Sequence, residues 1–366
     1  MASNSYQVYV SFSGETGSKI ENVGALASDG TYLGTVLAGG GPFAELRGLA
    51  IDDSGRLYVA NAFKGGSAVE VFSATINPDG YSRDYIGTLL TPATTKALLH
   101  PYGLAFDDGA LFVSSQDTNV VSHYAISGKK MPAAKNLGVA AYLEKLHPNG
   151  DYYGGTFVAS AQPVTAGKKT PPAVDPKDGG LSAIGFDSTI AEAIHTPAEE
   201  TAADAAAAKK PARHSVRGMA FAGKRLYVAD QAKDRVGIYG HRNGTFHGWI
   251  DNTGDASASP NALDKPVGLA VSPTDGRIYI GSPKNEAIFA YDPASAKLEL
   301  VVSTATSGAA DALKDLSGLA FTPDGTLLFG SRSQQQLYAF DASASTVSPL
   351  GAKLDDAPEC VLVVAV

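Results

Sequence analysis

The chain is nearly without cysteine: Cys360 is the one thiol in 366 residues. A lone thiol closes no internal disulfide, so packing and hydrogen bonds must hold the fold, and the redox compartment stays open. No run of about 18 apolar residues occurs, so no membrane-spanning helix is expected. Basic charge is scarce as well. Twenty-nine Lys and Arg stand against 37 Asp and Glu, a net charge of −8, with no basic run long enough to track a phosphate backbone, so nucleic acid is not an expected partner. Nucleophile elbow, phosphate-binding loop and dinucleotide fingerprint are all missing, which leaves covalent serine catalysis and nucleotide chemistry without support. The first strand reads from about residue 6, with no room for a secretory leader before it. The expectation is a cytoplasmic protein, or a periplasmic or secreted one if a leader was trimmed.

What the chain has is punctuation and repetition. Forty glycines and twenty prolines separate short apolar runs, and one pattern recurs five times. Its copies are Arg47-Gly48-Leu49-Ala50-Ile51, Tyr102-Gly103-Leu104-Ala105-Phe106, Arg217-Gly218-Met219-Ala220-Phe221, Val267-Gly268-Leu269-Ala270-Val271 and Ser317-Gly318-Leu319-Ala320-Phe321. Each is followed by a turn such as Asp108-Gly109 or Asp324-Gly325 and a second run such as Leu57-Tyr58-Val59-Ala60-Asn61 or Leu226-Tyr227-Val228-Ala229-Asp230, the signature of a hairpin. Third runs (Val69 to Phe72, Val236 to Tyr239, Ala287 to Tyr291) and weaker fourth ones (Tyr85 to Thr88, Phe246 to Trp249) complete units of four antiparallel strands. The motif glycines lie at 48, 103, 218, 268 and 318. This period belongs to propeller blades, since helical solenoids repeat at roughly 33 to 47 residues with helical periodicity.

The two ends complement each other. Val8 to Phe12 matches a second strand with no first strand before it, and Pro358 to Val363 matches a first strand with no second strand after it. Together they predict a sixth blade that closes the ring and removes exposed edges. The fold class is therefore all-β: a six-bladed β-propeller of four-stranded antiparallel blades forming one domain over 1–366. Cys360 takes the place of the motif glycine in the closing strand and reads as a small core residue, its thiol pKa raised by burial. The long interval between Gly103 and Gly218 holds an insertion at 161–213, rich in Ala, Pro and Lys. In it Thr196-Pro197-Ala198-Glu199 forms a capping box ahead of a short helix at 197–208. The insertion is expected on the face where first strands begin, as a lid, or as a disordered loop.

The succession Gly-Leu-Ala-Phe, Asp-Gly, Leu-Tyr-Val-Ala-Asp resembles the NHL-repeat group of six-bladed propellers, a superfamily that includes peptide-amidating lyases and gluconolactonase-like enzymes. The likeness covers nearly the whole chain outside about 161–213. It bears on architecture more than activity, because one fold hosts many functions.

The residue before each motif glycine falls on one face near the axis: Arg47, Tyr102, Arg217, Val267, Ser317 and, in the closing blade, Glu359. Two arginines, a phenol and a carboxylate converging there need mutual pairing or a ligand. The bland account is an Arg47–Glu359–Arg217 ion-pair set plugging the mouth. The sharper one is a small-molecule enzyme in which Arg47 and Arg217 grip an anionic substrate, with Asn61 and Asp230 beside them. Tyr102, made more acidic by the guanidiniums, or His100 or His214 would then move a proton. Glu359 would orient an arginine, hold a metal or act as the partner acid–base group. Elimination by a lyase and hydrolysis of a lactone both suit such a site.

Cofactor expectations follow from the resemblance. Glu359, Asp230 and Asn61 are similar in residue type to the Glu, Asn and Asp set of gluconolactonase-like propellers, which implies a Ca²⁺ or other divalent cation. Zinc is less expected, since the lyases hold it through three histidines beside the glycine place, where this chain has Arg, Tyr, Arg, Val, Ser and Glu. His195 could complete only a His100–His214 set. The alternative is a noncatalytic scaffold that binds a protein partner through the loops Phe63 to Gly66, Pro283 to Glu286 and Arg332 to Gln336.

Overall fold

The computed structural model describes residues 6–12, 20–41, 43–63, 66–95, 97–128, 132–142, 215–241, 244, 246–250 and 263–366. Among them the strands form six antiparallel sheets, each a blade. Reading outward from the axis, blade two runs Leu46–Ile51, Leu57–Asn61, Ala68–Phe72 and Arg83–Leu90. A two-residue strand, Leu37–Ala38, adds in parallel to its outer edge. The innermost strands of blades three to six are Pro101–Asp107, Val216–Ala222, Leu269–Val271 and Leu316–Phe321.

Blade one is assembled from both ends of the chain. Pro358–Ala365 pairs with Tyr6–Phe12 in the register Val8↔Val363, Val10↔Val361 and Ser11↔Cys360, and Val23–Ala27 and Tyr32–Thr35 complete the sheet. The closing strand also contacts the inner strands of blades two and six, so the inner strands form an unbroken ring. The expected closure is therefore present, and it leaves no free inner edge at the seam.

The motif spacing has a packing cause. Side chains alternate along a strand, so Gly48 and Ala50 face the following blade while Leu49 packs back on the preceding one. A Cβ on Gly48 would lie 2.5 Å from the Leu104 nitrogen, on Gly218 2.5 Å from the Val267 oxygen, and on Gly268 2.6 Å from the Ser317 oxygen. Inner strands converge too closely for any side chain there. Tyr58, Val71, Leu104, Leu111 and Val113 then fill the wider space between blades two and three. The Asp108-Gly109 hairpin turn has positive φ at both residues (47° and 75°), as a tight two-residue connection requires.

Serines fasten neighbouring blades at the level of the motif. Ser114 Oγ accepts from the Gly103 N–H at 2.7 Å and donates to the Arg217 carbonyl at 2.8 Å. Ser11 repeats this at the seam, accepting from Cys360 N–H at 3.1 Å and donating to the Arg47 carbonyl at 2.5 Å. Cys360 thus occupies the glycine's place, and burial pushes its thiol up to about 11. The expected insertion at 161–213, its helix at 197–208, His195 and His214 lie outside the described residues.

The close approach at Gly268 is testable. Gly268→Val should be folded but destabilised by about 1–3 kcal/mol through overpacking, seen as a lower denaturant midpoint with an unchanged slope. An unaltered midpoint would show that the inner strands have room to spare.

Candidate functional site

The inner strands begin on one face of the ring, and the residues preceding the motif glycines meet there. Below them lies a cavity of about 130 Å³ on the axis, lined by residues of all six inner strands, among them Arg47, Tyr102 and Glu359 at one end and Leu49, Met219 and Leu319 along the wall. Position follows from strand pairing. The serine latches hold the Arg47 and Arg217 carbonyls, and the closing strand carries Glu359.

Glu359 is buried and joins two guanidiniums at once. Its Oε1 lies 2.5 Å from Arg47 Nη1 and 3.0 Å from Arg332 Nε. Arg47 stands 5.6 Å from the centre of the Tyr102 ring and Arg217 4.7 Å from it, both within cation–π range. Arg217 Nε donates to Gln231 Oε1 at 2.9 Å, and its Nη1 donates to Gln116 Oε1. Among the described residues no carboxylate reaches ion-pair distance of Arg217. The mouth therefore holds, among the described residues, three guanidiniums against one buried carboxylate. Asp315, 4.0 Å from Arg332 and half exposed, adds little to the balance because solvent screens such pairs.

These charges leave their mark on protonation. Burial opposes the charge of Arg47, yet the adjacent Glu359 carboxylate raises its pKa overall. Arg217 moves the other way: burial lowers it, and the neighbouring guanidiniums of Arg47 and Arg332 add to the shift. It still remains a cation at neutral pH.

Tyr102 departs from expectation. Its phenol was expected to be acidified by the arginines. Burial, reinforced by Glu359, instead pushes it up to about 12, and the guanidiniums offset only part of that rise. Desolvation outweighs charge here, so Tyr102 is a hydrogen-bond donor across the physiological range.

The remaining candidates are more dispersed. His100 precedes the inner strand of blade three with φ of 51°. Its ring sits between two carboxylates, with Nδ1 3.3 Å from Asp117 and Nε2 3.5 Å from Glu45, and it does not line the axial cavity. Asn61 Oδ1 accepts from the Ala44 N–H at 3.5 Å. Asp230 is fully buried, accepting from the Ser215 N–H at 3.2 Å and facing Arg235 Nε at 3.4 Å. Ser282, ending its second strand, likewise accepts from the Asp264 N–H at 2.8 Å, while Ser331 at the same register donates to the Lys314 carbonyl. Asn61 and Asp230 are thus the blade-two and blade-four forms of a repeated strand clamp. Glu359, Asp230 and Asn61 belong to three different blades and each is engaged locally. Among the described residues no three His, Cys, Asp or Glu side chains cluster as a metal site.

Arg332 was read from sequence as part of a polar surface loop. The structure brings it into the ring instead, in the place beside Glu359 that the bland account gave to Arg217. A signal for this existed. Arg332 follows the end of its second strand, as Gln116 and Gln231 follow theirs, and from there the glutamines reach Arg217 while Arg332 reaches Glu359.

No family model and no curated protein sequence matches the chain. Solved structures share its fold at low identity. The periplasmic gluconolactonase of Pseudomonas aeruginosa is 17% identical over 99% of both chains, with a TM-score of 0.56. A Bacteroides fragilis protein described as a candidate 6-phosphogluconolactonase is 14% identical over 100% of this chain and 99% of its own, also at 0.56. A chain of the nidogen/laminin complex is 10% identical over 99% and 98%, again at 0.56. These likenesses show the propeller architecture. No helix among the described residues is long and apolar enough to cross a membrane.

The raised phenol gives a spectroscopic expectation. The phenolate absorbance of the wild type minus that of Tyr102→Phe should stay flat through pH 10 and rise only as pH nears about 12. The sign for stability follows. An unfolded chain loses this proton at about 10 and the folded one at about 12. The contribution is therefore whole below pH 10 and declines as pH rises between the two values. A difference signal appearing below pH 10 would contradict the burial of this ring.

Proposed function

We propose that the protein is a small-molecule hydrolase of the lactone-opening type, with the anionic group of its substrate or product held over the axial mouth. One observation carries the reading: among the described residues, one buried carboxylate pairs with Arg47 and Arg332, while Arg217 beside them faces amide oxygens and a tyrosine ring. The uncompensated charge favours an anion, and guanidinium groups suit carboxylates and phosphates through paired hydrogen bonds. The gluconolactonase-type structures that share the architecture are in keeping with this choice.

The chemistry suits such a site. Opening a lactone adds water across the acyl C–O bond: the acyl carbon gains a hydroxyl, the ring oxygen gains a proton, and the acid formed ionises at neutral pH. Negative charge develops on oxygen as the reaction proceeds. Arginines fixed in advance stabilise the transition state and product more than the substrate, which is the condition for catalysis. Tyr102, kept protonated by burial, would donate to the carbonyl or leaving oxygen. Glu359, paired to both Arg47 and Arg332, would orient those guanidiniums. A phenol that stays protonated serves hydrolysis better than elimination, which needs a base to remove a carbon-bound proton.

The test is turnover of a panel of lactones, some bearing carboxylate or phosphate groups. Arg217→Ala should lower kcat/KM by about 10- to 100-fold, the worth of a charge-assisted hydrogen bond, and Tyr102→Phe should lower kcat, both with unchanged circular dichroism. Wild-type rates in both variants would overturn the assignment. A wild type that opens no lactone but retains a stoichiometric protein partner would favour a noncatalytic scaffold.

A further inference from the structure

The axial cavity has two unlike ends. Its mouth is charged, whereas its wall is built from Leu49, Leu104, Met219, Leu269, Leu319 and Val361 set among the motif glycines. The leucines and the methionine are all nearly inaccessible to bulk solvent. They are held by the packing of adjacent blades, and the inner-strand backbone between them is the polar part of the wall. Cys360 is also among the lining residues, and its thiol stays neutral because burial raises it. At about 130 Å³ it approaches the size of an apolar protein cavity of about 150 Å³ that takes up benzene.

From this polarity we infer that the preferred ligand is a monocarboxylate with a short apolar tail, its carboxylate against Arg47 and Arg217 and its tail in the leucine-lined shaft. The inference rests on the anion reading of the mouth and goes beyond it by specifying the rest of the molecule. A polyhydroxylated acid of similar size would bring its hydroxyls against a largely apolar wall, and a buried hydroxyl without a partner is costly. A methylene chain loses nothing there and gains by leaving water. The second buried charge also argues for a single carboxylate. With Glu359 already opposing Arg47 and Arg332, the guanidinium that no carboxylate of the described residues approaches to ion-pair distance is that of Arg217. One added carboxylate gives it a counterion.

Titration calorimetry of the whole protein with acetate, butyrate, hexanoate and gluconate tests this. Affinity should rise about three- to fourfold per methylene from acetate to hexanoate, with gluconate weaker than hexanoate. Arg217→Gln should weaken every acid. Leu104→Phe, which narrows the shaft, should collapse the ratio of hexanoate to acetate affinity. Equal binding of acetate and hexanoate, or tighter binding of gluconate than hexanoate, would overturn the tail assignment while leaving an anion site at the mouth. If none of the four acids bound, the anion reading itself would fall, and this inference with it. The chain-length series on the unaltered protein decides the matter even if Leu104→Phe does not fold.

Discussion

The pairing of the last strand with the first is the interaction on which the rest depends. It closes the ring, but it also carries a charge to a fixed place. Glu359 is the second residue of the closing strand and stands one before Cys360, which occupies the glycine position of the motif. Because Ser11 bridges Cys360 to the Arg47 carbonyl, the seam between the chain ends and the Glu359–Arg47 pair form one unit. Opening the seam would strand the Arg47 and Arg332 guanidiniums without their carboxylate, and removing one partner of a buried pair costs about 3–5 kcal/mol. Fold closure and site electrostatics are therefore coupled through a few residues.

Convergence of strands at the axis sets the second constraint. Where neighbouring inner strands approach to within backbone contact the residue is glycine in five blades and the small Cys360 in the closing one, which places the preceding residue toward the rim and the following one into the wall. Polarity along the axis is a consequence of this register: arginine, tyrosine and glutamate at the mouth, leucine and methionine below. A propeller built on the same motif with apolar residues before each glycine would have the same walls and no charged ring.

Much of this was legible in the sequence because a repeat reports tertiary position. Five motif copies and two complementary half-units were enough to place Arg47, Tyr102, Arg217 and Glu359 on one rim. Where the reading stopped short, the cause was in contacts between blades. Arg332 lies in a loop whose neighbours are set by blade one, so its approach to Glu359 had no local sign except the register it shares with Gln116 and Gln231. The phenol of Tyr102 was misjudged because proximity to guanidiniums can be read from the repeat, whereas the depth of burial that outweighs them cannot. Residue type alone marks Asn61 and Asp230 as ligand-facing groups, whereas comparison with Ser282 and Ser331 at the same register shows a clamp that polar residues of several kinds can make.

An excess of positive charge at the head–tail seam is the central claim, and a heavy halide reports it directly. Crystals soaked in bromide should show an anomalous peak at the channel mouth beside Arg217 and above the Tyr102 ring, within about 3–4 Å of guanidinium nitrogens. Bromide filling surface sites but leaving that mouth vacant would contradict the account, for it would mean that Glu359 alone neutralises the ring.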